Sequence, residues 1–344
     1  NLNRTAAAVA AQQAAQAAAR AAAAANGASV PDGLVEGGLW EARGALAKWE
    51  GARAAKASTE GGRQVVTIEQ TQSRAILNWD TFNVGRNTTV QFKQGADDAV
   101  LNRVVGASAK PSQIQGAIKA DGTVLVVNQN GVIFTGTSQV NARNLVAAAA
   151  MITDAQFKTK GLYADNGAQP TFTDALGGIE VQAGARLQTA APGTSTTGGG
   201  YVLLLGKTAA NAGTIDTPSG QALLAAGDSF VIKRGQGTSG NLASTTRGNE
   251  VTPAGTPGRV ENTGLIQAAL GDVTLTGGDV AQRGVLLSST SVDTRGTLHL
   301  TATGGQGRVT VAEHSTTAIL LDRSGAQALD SQRDGLRVPP AAQG

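Results

Sequence analysis

The chain contains no cysteine, so no disulfide framework can hold it, and any transition-metal cluster or Ser-His-Asp triad would have to use one of its two histidines, His299 and His314. Aromatic residues make up only 3% of the 344 positions, so the interior must be filled by Val, Ile, Leu and Ala stacked in small repeating layers. Charge is scarce too: 15% of residues are Asp, Glu, Lys or Arg, against roughly 25% in an average globular protein. The 28 basic residues are interleaved with 25 acidic ones for a formal charge of +3, and the absence of any Lys/Arg cluster argues against nucleic acid as a partner. No window reaches the roughly 18 apolar residues that span a bilayer once the alanines are discounted. No charged n-region with an apolar h-region opens the chain, which starts at Asn1. The simplest account is a fragment of a longer protein, with a signal peptide already removed.

What is abundant is glycine: 46 residues, about twice the usual share. Apolar and β-branched runs such as 64–68 and 88–92 are punctuated by Asn, Gly and Asp every few residues, the pattern of consecutive short strands separated by tight turns. From residue 177 the sequence repeats loosely. Asn211-Ala212-Gly213-Thr214-Ile215, a turn and a second strand line up with Asn262-Thr263-Gly264-Leu265-Ile266 and its successor. Short strands recurring at about 20 residues without helices between them predict a parallel β-helix, here taken as right-handed. The stretches 189–200 and 235–258, rich in Gly, Thr, Ser and Pro, read as loops protruding from the coils.

The first sixty residues differ in kind. Residues 5–25 are an Ala/Gln stretch with high helix propensity, with Asn3 or Thr5 to cap its start and Asn26-Gly27 to stop it, predicting a helix of about five turns that lies against the main body. A Gly-rich connector follows, with Trp40 and Trp49 as surface anchors. The expected division is therefore 1–60, helix and connector, and 61–340, β-helix.

Few motifs in the chain carry chemistry. Gly235-Gln236-Gly237-Thr238-Ser239-Gly240 fits a dinucleotide fingerprint but no helix pattern follows it. Gly206-Lys207-Thr208 lacks the glycine that a phosphate loop requires, having Tyr201 there, and Gly304-Gly305-Gln306-Gly307 has Val309 where a calcium β-roll needs Asp. His299 alternates outward in a strand. Asp97-Asp98, the only adjacent acidic pair, sits in a turn, so no catalytic residue, metal ligand or cofactor is assigned. Two other classes stay open: a β-helix carbohydrate-active enzyme with carboxylates converging across a cleft, and a ligand-binding adhesin module using the two loops. The asparagines Asn78, Asn83 and Asn102 read first as turn or ladder residues.

The span from Arg63 to Val146 carries more. It holds Ala75-Ile76-Leu77-Asn78-Trp79, Phe82-Asn83-Val84-Gly85, Leu101-Asn102-Arg103-Val104, Pro111-Ser112-Gln113-Ile114 and Gly122-Thr123-Val124-Leu125-Val126-Val127-Asn128-Gln129-Asn130-Gly131-Val132-Ile133-Phe134. With these residues the chain resembles the secretion domain of two-partner-secretion exoproteins of the filamentous-haemagglutinin and high-molecular-weight-adhesin type. Gln129 replaces the proline of the family's Asn-Pro-Asn-Gly turn, freeing φ and restoring an N–H, while Asn130-Gly131 still tolerate positive φ. The second family turn, Asn-Pro-Asn-Leu, is absent, which places the chain nearer the high-molecular-weight-adhesin branch. The resemblance implies a non-enzymatic secretion domain of a large adhesin, secreted or surface-bound in a Gram-negative bacterium by way of the periplasm, where a cysteine-free chain escapes premature disulfides. It implies a TpsB partner, an Omp85-type outer-membrane transporter whose POTRA domains recognise the domain by strand addition, and a monomer whose full-length form meets a host or neighbouring-cell receptor. It implies a secretion and folding motif at Asn128, Gln129, Asn130 and Gly131, joined by Asn78, Trp79, Phe82, Asn83, Asn102 and Arg103.

Overall fold

A computed structural model describes residues 2–26, 29–164, 169–191, 199–234, 248–291 and 296–322. Its strands stack into three parallel ladders, the parallel β-helix that the repeat predicts. The short face is a seven-stranded sheet from Ser112–Ile114 through Val132–Phe134, Gly178–Val181, Thr208–Asn211, Arg259–Asn262 and Asp279–Gln282 to Arg308–Val311. The other two faces begin at Arg63–Glu69 and Arg74–Phe82 and are joined where Ala117–Val127 and Gln139–Ala148 run through both.

In-register stacking turns each position into a column. Ile118, Val140, Leu187, Ile215, Ile266 and Leu286 form one inward column of the second face; Val100, Val124, Leu145, Val202, Ala222 and Val273 form one on the third. All are buried. Aliphatic layers thus supply the core that so few aromatics could not, each fully buried Val, Leu or Ile contributing about 1.5–3 kcal/mol. On the short face one inward column changes chemistry, from Ile114, Phe134 and Val181 to Asn211, Asn262 and Gln282. Asn211 Nδ2 donates to Asn262 Oδ1 at 2.8 Å and Asn262 Nδ2 to Gln282 Oε1 at 2.8 Å, while the same side chains bond the corner backbone at Gly213, Gly264 and Gly284. The Asn-x-Gly-x-Ile repeat is this amide ladder, and Gln282 is its third rung.

As far as the coil of Leu223 the third face is buried on both sides. Its outward column Ile76, Leu101, Leu125, Val146, Leu203 and Leu223 lies in a second core under Phe157, Phe172, Phe230 and Ile232, which is why runs such as Tyr201–Gly206 are apolar without alternation. Two unforeseen elements make this cover. Asp154–Lys160 is a short helix, α2, capped by Thr153, whose hydroxyl accepts from Gln156 N–H, and ended by Gly161 at φ 64°. Asn249–Ala254 pairs antiparallel with Ser229–Arg234, so the second half of the expected 235–258 loop is a strand folded back over the coils. Pro253 in a short polar run hid its alternation. Residues 235–247, including the glycine-rich fingerprint, and most of the 189–200 loop lie outside the described residues.

At the N-terminal end the stretch beyond Pro31 is woven into the sheets. Leu39–Glu41 and Trp49–Glu50 pair antiparallel with Arg74–Phe82, and Lys56–Glu60 pairs antiparallel with Arg63–Glu69. Trp49 anchors through an edge-on contact with Trp79 at 5.1 Å, whereas Trp40 takes a cation–π contact from Arg43 at 4.3 Å.

The Ala-rich segment is a 24-residue helix, α1, Leu2–Ala25, so Asn3 and Thr5 lie in its first turn instead of preceding it. It lies along a corner of the coils. Gln12 donates to Thr263 O, Gln16 to Ala212 O, and Arg20 to the carbonyls of Thr137, Ser138 and Gly184, so one side chain per helical turn reaches successive coils. Ala8 and Val9 pack on Leu265, Val285 and Leu287. The seat demands small residues: a Cβ on Gly184, at φ 92°, would stand 2.6 Å from Arg20 N, and one on Gly136 would stand 2.7 Å from the Ala23 methyl. Gly184→Ala is therefore expected to lower stability by about 1–3 kcal/mol, from backbone strain and loss of the seat. Thermal unfolding with amide exchange over α1 checks this, against Gly305→Ala, where a Cβ meets nothing within 4 Å and no change is expected.

Candidate functional site

The motif residues divide into three groups. In Arg74–Phe82, alternation sends Ala75, Leu77 and Trp79 into the main core, Ile76 into the second core, and Asn78 outward beneath the N-terminal strands. Trp79 is fully buried and lies edge-on to Phe82 at 5.2 Å. Its indole N–H donates to Asn102 Oδ1 at 3.1 Å, and Asn102 Nδ2 donates to Leu125 O at 3.1 Å, so three adjacent coils are tied by one buried amide. Asn78 Nδ2 donates to Leu46 O, and its Oδ1 accepts from both Nε and Nη2 of Arg103. Thus Asn78, Trp79, Phe82, Asn102 and Arg103 form one cluster.

Asn83 stands apart at a different corner, its Nδ2 donating to Gly37 O at 2.9 Å and its Oδ1 accepting Gln113 N–H at 2.7 Å. The third group is the turn between Val127 and Val132. Asn128, 2% exposed, accepts the Asn130 N–H on Oδ1 at 3.0 Å, and its Nδ2 donates to Lys110 O and Ser112 Oγ. Gly131 N–H closes the turn on Asn128 O at 2.9 Å, with Gly131 at φ 120°. Gln129, in the proline's place, uses its freedom: its Nε2 donates to Asp174 O, and its carbonyl accepts Gly177 N–H. A Cβ on Gly177 would stand 2.2 Å from Asn130 O, so the next coil seats directly on the turn.

An ion cluster borders the first group. Asp154 accepts Arg103 at 2.7 Å and Lys48 at 2.5 Å, and Lys158 reaches Glu50 at 2.5 Å. Burial pushes the Asp154 carboxyl up, but hydrogen bonds from Lys48 and Arg103 outweigh it and hold it below the usual carboxylate range. Sequence reasoning missed Asp154, Lys48 and Gly177, and quoted Ser112 only within a family motif; Thr153-Asp154-Ala155-Gln156 before Gly161 is a capping pattern that could have found the first.

Elsewhere the expected turns are turns. Asp98 Oδ2 accepts Gly95 N–H, and Lys207 pairs with Asp228, whose carboxyl that contact holds at about 2. His299 points outward but is half-buried, with Nε2 3.3 Å from the fully buried Asp272, in a groove floored by Thr274, Thr276, Thr301 and Thr303. Among the described residues no group of three His, Asp or Glu is placed to hold a metal ion.

Residues 47–311 match the family described as TPS secretion domain. A heme/hemopexin-binding protein of Haemophilus influenzae is 31% identical over 224 residues, 64% of this chain and 22% of that protein. A second Haemophilus influenzae heme/hemopexin-binding protein is 41% identical over 83 residues, 24% of this chain and 9% of its own length. The chain thus spans under a quarter of the length of these curated relatives. The crystal structure of the HMW1 secretion domain from Haemophilus influenzae shares the fold, with a TM-score of 0.59 at 21% identity over 80% of this chain and 66% of that one.

The lowered carboxyls set the acid response. A carboxyl whose folded value lies below its unfolded value of about 4 stabilises the fold above that pH and loses the contribution as pH falls through the folded value. Urea midpoints are expected to hold from neutral pH to about pH 5 and to decline below about pH 4. Asp228→Asn should flatten the part of the decline between about pH 4 and the Asp228 value near 2; an unchanged profile would exclude Asp228.

Proposed function

The chain belongs to the TPS secretion domain family, and from that premise we propose that its buried motif works by building the first coils of a β-helix on which the rest of an exported protein folds. Proteins with this domain are secreted exoproteins of Gram-negative bacteria, and the domain implies a TpsB transporter. The finer reading is ours: a TpsB of Omp85 type receives the unfolded chain on its periplasmic POTRA domains, and folding follows on the outer side. We place the division between residues 60 and 61, the described residues of 61–340 forming the coils and those of 1–60 wrapping on them.

The supporting observation is burial. Trp79, Phe82 and Asn102 are fully buried, and Asn128 is 2% exposed, so none presents a side chain to a partner once the domain has folded. Their hydrogen bonds join different coils: Trp79 to Asn102, Asn102 to Leu125, Asn128 to Ser112, Gln129 to Asp174. Such residues influence secretion either while the chain is unfolded or by making the fold, and coil-to-coil bonds favour the second. Each coil then offers the next a complete parallel edge, so folding propagates along the axis and favours export without a nucleotide. For the whole protein we propose attachment to a host or neighbouring-cell receptor. The relatives' names point to heme or hemopexin as one class of ligand to test.

The test is co-expression of a signal-peptide-bearing domain with its transporter, followed by assay of the medium. Asn128→Ala with Asn130→Ala should abolish transporter-dependent release. Asn211→Ala, which removes an amide of the same kind farther along the stack and costs about 1–3 kcal/mol, should leave most of it. Unaltered release of the Asn128/Asn130 variant would refute the role of the turn.

A further inference from the structure

Resting on the reading that a transporter receives this chain, we propose that the recognition element is the hairpin Lys56–Glu60 with Arg63–Glu69, and that the outer edge of Lys56–Glu60 takes up an extended strand from the transporter's periplasmic domains.

Four observations converge on this edge. The hairpin closes through Gly61 and Gly62, at φ 58° and 77°. Positive φ at both loop positions is the two-residue turn whose twist matches a hairpin, so this element forms from contacts local in sequence. Every other pairing of the early coils joins distant segments and must wait for stacking. The hairpin is therefore the β-element of the early coils that an otherwise unfolded, export-competent chain can present.

The edge is also unpaired in the folded domain. Among the described residues Lys56–Glu60 pairs only with Arg63–Glu69, and all five of its residues are exposed. The neighbouring face is closed at the same end by Leu39–Glu41 and Trp49–Glu50. Asn249–Ala254 carries Pro253, which lacks an N–H.

The register defines what the edge offers. With Glu60 opposite Arg63 across a two-residue loop, the alternation of an antiparallel pair directs Ser58 and Lys56 toward Val65 and Thr67 and leaves the N–H and C=O of Ala57 and Thr59 pointing away. Only another strand satisfies such a row in register. The gain is mutual, since a two-stranded hairpin is marginal alone and a third strand stabilises it. Lys56 and Glu60, of opposite charge at the two ends, set the direction of the incoming strand.

The test measures binding of the domain to the transporter's purified periplasmic domains by titration calorimetry. Ala57→Pro with Thr59→Pro deletes two outward N–H groups and no bond of the hairpin; binding should weaken about tenfold or more. Ala57→Val with Thr59→Val keeps both donors and should bind as the unaltered chain does. A melting temperature for each variant checks the fold. In the unaltered chain the Ala57 and Thr59 amides should gain exchange protection on mixing, a readout that holds even if the proline pair unfolds the hairpin. Equal binding by the proline pair, or no gain of protection while the unaltered chain binds, would overturn the edge and leave the transporter reading intact. Failure of the unaltered chain to bind would overturn both.

Discussion

No coil of this molecule can bury its own apolar face, and everything else follows from that. A single turn carries three short strands and no layer above or below, so its inward Val, Ile and Leu leave water only when a neighbour stacks at about 4.8 Å. Stacking in register repeats not only the strands but the corners, where backbone groups have no ladder partner and must be satisfied inside the protein. Amide side chains do this at Asn128 within its turn and along the Asn211, Asn262 and Gln282 column, while Asn102, inside a strand, ties Trp79 to Leu125. The asparagines that read as a secretion and folding motif in sequence are structural in space, Asn83 and Asn128 at corners and Asn78 and Asn102 within strands.

Much of this was legible because the physics is local or periodic. The strands, the Ala-rich helix and the Asn-x-Gly-x-Ile frame show in composition and spacing, and the motif between Arg63 and Val146 identified the family. The cover of the third face was not legible, because its pairing depends on where distant segments land: Phe172 meets Phe230, and the run from Asn249 looks like loop until it has a partner in Ser229–Arg234. The column of Leu203 and Leu223 continues as Thr274 and His299 where that cover ends, so a register shared across coils decides which outward positions are apolar. Sequence marked Asn78 and Arg103 but not Asp154, which binds Arg103 from a helix fifty residues on.

The order in sequence and the order of assembly need not agree. The helix α1 comes first in the chain, yet its seat is built from coils between Thr137 and Ala318 and exists only after they have stacked. The Gly61-Gly62 hairpin needs none of them. A hairpin that needs no stacked coils, a central motif whose amides tie coils together and a helix that docks only on the finished corner fit the proposed order of export, open during transport and closed afterward.

Native-state amide exchange along the whole chain tests this account most directly. The account predicts that 124–127, 145–148 and 202–205 exchange slowest and in one cooperative unit, with protection falling toward both ends of the stack and α1 opening earlier than the coils beneath it. Fast exchange at the motif coils, or an α1 more protected than the corner it sits on, would contradict it.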